Sequence, residues 1–254
     1  MKKILLSGCN GRMGQVLQRK IAESNTGMVV AGIDPKQKKD SPFPIYLSAN
    51  DVKETVDVVI DFSHDSAISD LITFCLEKKL PVVIATTGLK ENTLTLLEEA
   101  SHLIPIFYSA NMSIGINVLI KALQTITPIL EKDFDIEIIE KHHNQKKDAP
   151  SGTALLLADS MNESCHTKKE YVYGRSGTEL ENDHSQLGIH AVRGGTIPGE
   201  HTVLYAGPDE LIELKHTALS RDIFANGALK AALFLCEQPN GFYDMSKLID
   251  QQEE

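Results

Sequence analysis

The chain of 254 residues contains no tryptophan, and only 6% of its residues are aromatic. Proteins that bind single-stranded nucleic acids stack bases on aromatic side chains, so this composition argues against that function. The formal net charge is −10 at pH 7, whereas surfaces that bind nucleic acids or anionic membranes carry a positive excess. The sequence therefore predicts no nucleic-acid partner and no membrane partner.

Long apolar segments are lacking as well. No run approaches the roughly eighteen residues of a membrane span, and the apolar run at residues 4–6 is too short for the core of a signal peptide. The four cysteines, Cys9, Cys75, Cys165 and Cys236, are scattered and form no CxxC pair. Reduced cysteines in a cytoplasmic protein are therefore favoured over disulfides or a metal site.

The first part of the chain alternates between short β-branched runs and segments in which apolar residues recur at helical spacing. Strands are predicted near residues 3–8, 28–34, 56–62, 80–88 and 104–111. The strand runs are apolar without alternation, which is typical of strands covered on both faces in a parallel sheet. We therefore predict an α/β domain with a doubly wound parallel sheet.

The stretch "GCNGRMG" between the first strand and the first helix contains Gly8, Gly11 and Gly14. Glycine permits a tight turn and lets backbone N–H groups approach a pyrophosphate at a helix N-terminus. The spacing is G-x-x-G-x-x-G, and alone it is also explained by ordinary turn chemistry. Asp34 at the end of the second strand adds a carboxylate that can accept from ribose hydroxyls. Together these features favour dinucleotide binding.

Two further strand ends carry small and polar residues. "ATTG" (85–88) and "SANMS" (109–113) follow predicted strands at the edge where ligands bind in open α/β sheets. Their hydroxyl and amide groups could flank a nicotinamide ring. Ordinary loops with helix caps explain each stretch equally well on its own.

The second half of the chain has a different pattern. Residues 134–143 alternate as a strand, and residues 187–218 contain three strand-like runs without intervening helices. Consecutive strands predict a mostly antiparallel sheet, and therefore a second domain of α+β type. Residues 220–238 have the pattern of a long helix, which we expect to pack against the first domain.

The segment "EKHHNQKKDAPSGTA" (140–154) gathers positive charge just before a predicted helix. Ser151 is a plausible N-cap, and Gly152 and Thr153 would then offer N–H groups to an anion. His142 and His143, if both lie on a strand, point to opposite faces and should have different roles. No metal-ligand spacing accompanies them. A solvated basic loop is the alternative to a binding site for a small ligand with carboxylates.

The same segment resembles a signature of the 4-hydroxy-tetrahydrodipicolinate reductase family, also called dihydrodipicolinate reductases. "GCNGRMG", "DFS", "TTG", "SANMSIGIN", "GEHTV" and "FANGAL" are similar to the family's sequences in the same order, so the resemblance spans essentially the whole chain. It implies a Rossmann-like dinucleotide-binding domain of residues 1–113 and 220–254. It also implies an inserted α+β domain, residues 114–219, for substrate binding and assembly into a homotetramer.

The resemblance implies a role for each candidate site residue. His142 would donate a proton, Lys146 would be a second acid/base residue, and His143, Gly152 and Thr153 would bind substrate carboxylates. The binding site of the cofactor, NADH or NADPH, would be lined by Gly8, Cys9, Asn10, Gly11, Arg12, Met13, Asp34, Ala85, Thr86, Thr87, Ser109, Ala110, Asn111 and Met112.

The implied reaction is reduction of 4-hydroxy-tetrahydrodipicolinate, through dihydrodipicolinate, to tetrahydrodipicolinate in lysine biosynthesis. Family members often carry an acid followed by arginine after the second strand, whereas here Pro35 follows Asp34. Asp34 favours NADH, while Lys36, Lys38 and Lys39 would soften its repulsion of a 2′-phosphate. The alternatives are another amino-acid-pathway dehydrogenase, or a dinucleotide sensor without catalysis.

Overall fold

The structure is a computed structural model that describes residues 1–36, 40–178 and 184–251. The chain divides into two compact units, Met1–Ile114 with Arg221–Glu254, and Gly115–Ser220. In the part of the chain that is described, no helix is both long and apolar enough to cross a membrane. All four cysteines are free thiols.

The first unit is built on a seven-stranded sheet in which every pair of neighbouring strands is parallel. Strands are numbered along the whole chain, and those of this sheet are β1 (Lys2–Ser7), β2 (Gly27–Ile33), β3 (Ile45–Tyr46), β4 (Val58–Asp61), β5 (Val82–Ile84), β6 (Pro105–Tyr108) and β12 (Gly241–Tyr243). Their order is β12-β6-β5-β4-β1-β2-β3. The chain reverses its direction of travel across the sheet after β3, as in doubly wound folds.

Helices cover both faces of this sheet. They are α1 (Arg12–Ser24), α2 (Asp65–Lys78), α3 (Glu91–Ser101), α6 (Asp222–Leu235) and α7 (Met245–Asp250), with a short 3-10 helix at Ala49–Asp51. Leu17 and Ile21 of α1 share a buried cluster with Ala228 and Leu229 of α6 and Ile4 of β1. Burying one such aliphatic side chain stabilises a fold by about 1.5–3 kcal/mol. The helix from the C-terminal part of the chain therefore belongs to the core of the first unit.

The second unit has a five-stranded sheet covered by two helices. Its strands are β7 (Asp135–His142), β8 (Glu170–Val172), β9 (Gln186–Arg193), β10 (Glu200–Gly207) and β11 (Glu210–Thr217), in the order β11-β10-β7-β9-β8. The helices are α4 (Ile114–Leu130), which starts at the boundary residue, and α5 (Gly152–Ser164). Side chains of β7 alternate between the buried and the partly exposed face, so one face packs on the helices.

The second sheet is mixed, and the prediction of a mostly antiparallel sheet is wrong. β7 pairs with β10, and β10 with β11, in antiparallel fashion, but β7–β9 and β8–β9 are parallel. The crossover helix α5 lies between β7 and β8, so β8 runs in the same direction as β7. β9 lies between these two strands in the sheet and is parallel to both. The two-domain α/β and α+β architecture is otherwise as predicted.

Candidate functional site

The turn between β1 and α1 has the geometry of a phosphate-binding loop. Gly8 adopts φ +75°, and a Cβ atom there would lie 2.5 Å from the carbonyl oxygen of Phe62. A Cβ on Gly14 would lie 2.3 Å from the carbonyl oxygen of Gly8. The helix starts after Gly11, with no side-chain cap and no acidic residue in its first turn. Its N–H groups are thus arranged for an anion, which the helix dipole favours.

Asp34 fixes this turn from the end of β2. Asp34 is 6% exposed. Its Oδ2 accepts from the backbone N–H of Asn10 at 2.9 Å, and its Oδ1 accepts from that of Lys36 at 2.8 Å. The Asn10 side chain also donates to the carbonyl of Lys36. Because each carboxylate oxygen can accept a second hydrogen bond, Asp34 can still receive ribose hydroxyls. Lys38 and Lys39 lie outside the described residues.

The other predicted cofactor residues of the glycine turn differ in exposure. Cys9 is fully buried, its N–H donates to the carbonyl of Ile33 and its carbonyl accepts from the Gln18 side chain, so it holds the turn in place. Arg12 is exposed at the first turn of α1, and Met13 is half-buried and contacts the core. The turn therefore offers a ligand mainly backbone atoms and the Arg12 side chain.

The end of β5 is tied to the buried carboxylate of Asp61, which the sequence showed only as the first residue of "DFS". Thr86 Oγ1 donates to Asp61 Oδ2 at 2.5 Å, and Ser63 Oγ donates to Asp61 Oδ1 at 2.6 Å. Burial raises the pKa of Asp61, although the hydroxyl hydrogen bonds act in the opposite direction. Ala85 is buried, whereas Thr87 is exposed. The hydroxyl of Thr86 is thus committed to the fold, and Thr87 presents its side chain at the surface.

The loop after β6 is held by its own hydrogen bonds. Ser109 Oγ donates to the carbonyl of Asn111 at 2.8 Å, and Asn111 Oδ1 accepts from the N–H of Ser113 at 2.9 Å. Asn111 and Met112 are buried, while Ala110 is exposed. This loop, the 85–87 turn, Asp34 and the glycine turn all follow the carboxyl ends of parallel strands. They therefore share the edge where dinucleotides bind in such sheets.

In the second unit, His142 is the last residue of β7 and points to the buried face. It is 9% exposed, and its Nδ1 lies 2.7 Å from Oε2 of Glu140, two residues earlier on the same face. The strand ends at His142, so His143 lies just beyond it, half-buried. The prediction that both histidines lie on the strand is therefore wrong by one residue, although the two differ in burial as expected from different faces.

Glu140 is the centre of a buried hydrogen-bond network. Its carboxylate is 0% exposed and accepts hydrogen bonds from both Nη1 and Nη2 of Arg193, each at 2.7 Å. The backbone N–H of Ser151 donates to the same carboxylate at 2.9 Å. Burial alone would raise the pKa of Glu140, but the hydrogen bonds from Arg193, His142 and Ser151 outweigh it and lower that pKa. Glu140 is therefore an ionised acceptor.

The N-terminus of α5 is joined to this network, and the prediction that Ser151 is its N-cap is confirmed. Ser151 Oγ accepts from the N–H of Ala154 at 3.1 Å and lies 2.9 Å from Nε2 of His201. Gly152 and Thr153 are the first two helical residues. A Cβ atom added to Gly152 would meet nothing within 4 Å. The helix end at Gly152 therefore faces open space.

His201 is a third histidine in this cluster, and the sequence showed it only as part of "GEHTV". Its ring lies edge-on to that of His142, with 5.1 Å between the ring centroids. Burial, and then the neighbouring His142, lower the pKa of His201 to about 4. His201 is consequently neutral at pH 7 and acts as a hydrogen-bond partner of Ser151.

Lys146 lies in the turn that follows His143. Its Nζ pairs with Oδ2 of Asp148 at 2.9 Å, and its backbone N–H donates to the carbonyl of His143 at 3.1 Å. The hydrogen bond from Lys146 lowers the pKa of Asp148. The Asp148 side chain is 60% exposed, and exposed ion pairs contribute little to stability. Lys146 can therefore exchange this partner for a ligand carboxylate at small cost.

A metal centre does not emerge from these residues. Across residues 1–36, 40–178 and 184–251, no three His, Cys, Asp or Glu side chains are grouped as metal ligands. The histidines near Glu140 are instead bound to a carboxylate and a hydroxyl.

The fold, the glycine turn and the network around Glu140 together define a class of protein. Its members have a Rossmann-like dinucleotide-binding unit and a second unit with a basic, histidine-rich helix N-terminus. Residues 2–112 match a family model described as dihydrodipicolinate reductase, N-terminus, and residues 115–249 match the corresponding C-terminus model. The chain therefore belongs to the dihydrodipicolinate reductase family.

Relatives of similar length support this assignment. The chain is 50% identical over 250 residues to the 4-hydroxy-tetrahydrodipicolinate reductase of Clostridium tetani, and 53% identical over 249 residues to that of Caldanaerobacter subterraneus. Each alignment covers 98% of both chains. The family prediction made from the motifs is thus confirmed.

Solved structures show the same fold. Dipicolinate-bound dihydrodipicolinate reductase from Paenisporosarcina sp. TG-14 has a TM-score of 0.81 at 23% identity, covering 96% of this chain and 97% of that chain. A probable dehydrogenase from Thermotoga maritima has a TM-score of 0.66 at 12% identity, with 97% and 92% coverage. The predicted fold class, a Rossmann-like sheet with a second α+β domain, is confirmed.

Proposed function

We propose that this protein reduces 4-hydroxy-tetrahydrodipicolinate, through dihydrodipicolinate, to tetrahydrodipicolinate by hydride transfer from NADH or NADPH. The observation that carries the proposal is the joining of His142 and the N-terminus of α5 through one carboxylate, Glu140. A dicarboxylate substrate needs cations and N–H groups to bind it, and a reduced imine system needs a positioned acid. Family membership supports the same reaction.

The substrate carboxylates would bind at the N-terminus of α5. Gly152 leaves open space there, Thr153 is the next helical residue, and the helix dipole favours an anion. His143 and Lys146, which precede this helix, would add hydrogen bonds and positive charge. The solved relative from Paenisporosarcina is bound to dipicolinate, itself a dicarboxylate.

The first unit would hold the cofactor, whose nicotinamide supplies the hydride. The N–H groups in the first turn of α1 would bind the pyrophosphate, with the Arg12 side chain beside them, and Asp34 would accept from the adenosine ribose. The N–H groups of Gly8 and Gly11 donate to the carbonyls of Ile33 and Gly8, so these glycines would shape the turn. The clashes that a Cβ would cause at Gly8 and Gly14 support this fit, because they show that the turn has no space for a side chain at either position. Residues 85–87 and 109–112 would flank the nicotinamide.

The test is an assay of cofactor oxidation, followed by absorbance, with the condensation product of pyruvate and aspartate semialdehyde as substrate. Oxidation that requires both the protein and the condensation product supports the proposal. Oxidation of NADH with homoserine-pathway or other amino-acid-pathway substrates alone would instead identify another dehydrogenase. NADH binding without turnover on any of them would indicate a sensor, although such a protein would have little reason to keep His142 and Lys146.

In the same assay we expect NADH to be used at least as well as NADPH, with both accepted. Asp34 is held in place by two backbone N–H groups, so its charge stays where the 2′-phosphate would lie. Lys36, which is exposed, offsets this by about 1 kcal/mol or less. A ratio of kcat/KM that favours NADPH more than about a hundredfold, or about 2.7 kcal/mol, would contradict this expectation.

Gly152→Ala separates substrate binding from folding. Because an added Cβ meets no atom within 4 Å and alanine is a good helix former, the Tm is expected to stay within about 2 °C of wild type. The methyl group would occupy the place of a bound carboxylate, so KM should rise about tenfold or more, a loss of some 1.4 kcal/mol. An unchanged KM would remove Gly152 from the substrate site, and NADH affinity serves as the control.

The homotetramer and the substrate-binding role of the second domain are predictions from the resemblance, and the cytoplasmic location is a prediction from the scattered cysteines. Size-exclusion chromatography with light scattering would measure the assembly state directly.

A further inference from the structure

Glu140 uses both carboxylate oxygens twice. Oε1 accepts from Arg193 Nη2 at 2.7 Å and from the Ser151 N–H at 2.9 Å, while Oε2 accepts from Arg193 Nη1 and lies against His142 Nδ1, both at 2.7 Å. Four hydrogen bonds fill the capacity of a carboxylate. Since an ionised carboxylate can only accept, Nδ1 of His142 is the donor in its pair.

We propose that Glu140 and Arg193 are positioning residues of the reductase reaction: Glu140 keeps the proton on Nδ1 of His142 and so directs Nε2 toward the substrate, and Arg193 holds Glu140 in place. This inference rests on the proposed function, in which His142 is the proton donor. Neither residue would touch the substrate.

The arrangement determines which form of His142 can act as an acid. With Nδ1–H bonded to Glu140, a neutral ring has only a lone pair at Nε2, so the ring donates from Nε2 as the imidazolium. After the substrate has gained the hydride, the Nε2–H bond breaks and the proton goes to the atom where the electron pair has accumulated. His142 is left neutral with Nδ1–H still bonded to Glu140, and solvent restores the second proton. The same division of roles operates in Ser-His-Asp triads.

Arg193 ties this pair to the loop that leads into α5. The parallel pairing of β7 with β9 places Arg193 opposite His142, and Nη2 also donates to the carbonyl of Asp148 at 2.7 Å. A planar guanidinium with two parallel hydrogen bonds fixes a carboxylate in rotation as well as position. His142, Glu140 and the N-terminus of α5 are therefore held in fixed positions relative to one another.

Charged and titratable groups from several elements surround His142. Glu140 on β7 is bonded to its ring, and Arg193 on β9 is bonded to Glu140. His201 on β10, which is neutral at pH 7 because burial lowers its pKa to about 4, contributes no charge. Lys146 in the following loop and His216 on β11 act on His201, and Asp148 acts on Arg193.

Glu140→Gln tests the proposal, with Glu137→Gln as the matched control. Glu137 is on the same strand, and it too is bonded to an arginine and a histidine, Arg175 and His190, each at 2.6 Å. We expect Glu140→Gln to lower kcat by about 10–10³-fold, since partners that orient a catalytic histidine have effects of this order or larger. KM and NADH affinity should stay within about threefold of wild type, and Glu137→Gln should leave kcat unchanged.

Two readouts separate positioning from a purely structural role. Without the Glu140 charge the imidazolium is less stable, so the pH above which kcat declines should move to a lower value in Glu140→Gln. In wild-type protein, nitrogen-15 NMR should show a proton on Nδ1 of His142, assigned by its loss in His142→Gln. A wild-type pH profile and kcat in Glu140→Gln, or a wild-type ring protonated on Nε2 alone, would overturn the proposal.

Arg193→Lys covers the case in which Glu140→Gln does not fold. It keeps the positive charge but loses the paired hydrogen bonds, so kcat should fall by less than in Glu140→Gln, again with KM near wild type. An unchanged kcat would overturn the role of Arg193. If wild-type protein did not reduce the condensation product at all, the proposed function would be wrong, while the NMR signal would still decide whether Glu140 fixes the ring of His142.

Discussion

His142→Gln is expected to lower kcat by about 10²–10⁴-fold, the effect of a lost general acid, with little change in KM. Glutamine can still donate to Glu140 through its amide, so the buried network keeps its shape, but it has no proton to give at the substrate. The measurement is steady-state oxidation of NADH with the condensation product, at several pH values. NADH affinity without substrate should stay near wild type.

His143→Gln is the matched variant, because it changes the adjacent histidine in the same way. His143 lies beyond the end of β7 and is proposed to bind a carboxylate in the ground state and the transition state alike. Its replacement should therefore raise KM and leave kcat nearly unchanged. Lys146→Ala should impair both parameters, since Lys146 is proposed to bind a carboxylate and to take part in proton transfer.

The opposite result would reassign the basic segment. If His142→Gln kept its kcat while NADH binding collapsed, the segment at residues 140–154 would belong to the cofactor, and the acid would have to be sought elsewhere in the chain.

The parts of the fold that the sequence predicted are those with local causes. The parallel sheet followed from runs such as "VVI" (58–60) in β4, which are apolar on both faces and fully buried in the structure. The start of α5 followed from Ser151, whose hydroxyl caps the helix within three residues. In both cases the signal and the structure that it specifies lie within a few residues of each other.

The predictions failed for contacts between residues that are far apart in the sequence and for very short strands. The strands "IY", "EYV" and "GFY" contain two or three residues, too few for any periodicity. The predicted strand at residues 80–88 is shorter, because the chain leaves the sheet after Ile84 and Thr86 turns to bond Asp61.

The same limit applies to the candidate site. His142, Lys146 and Gly152 lie in one continuous segment and could be singled out together. Arg193 is 53 residues from Glu140 along the chain, and only the register between β7 and β9 brings the two together. Likewise, nothing local indicates that Asp34 bonds the backbone of Asn10, so the sequence suggested a ribose ligand and missed a structural role.

Gly14→Ala is expected to destabilise the first unit and to weaken cofactor binding together. A Cβ there would lie 2.3 Å from the carbonyl oxygen of Gly8 and 2.5 Å from that of Cys9. Both are backbone atoms of the turn, so α1 has to move away from β1. Overpacking of this kind costs about 2–3 kcal/mol, which corresponds to a Tm lower by about 4–12 °C. NADH affinity should fall as well, because the displaced turn carries the N–H groups proposed to bind the pyrophosphate.

Gly11→Ala is the matched comparison for the Tm and the NADH affinity of Gly14→Ala. Its φ is −65°, which any residue adopts, and the nearest atom to an added Cβ is the Gly8 carbonyl oxygen at 3.2 Å. A small adjustment relieves that contact, so the Tm should fall by less than in Gly14→Ala. Gly11 is exposed at the helix N-terminus, and its methyl group would stand where a pyrophosphate approaches, so NADH affinity should fall without a matching loss of stability. Equal affinities for NADH in Gly11→Ala and wild type would mean that the pyrophosphate does not bind at this turn. A wild-type Tm in Gly14→Ala would mean that α1 is not in close contact with the backbone of Gly8 and Cys9.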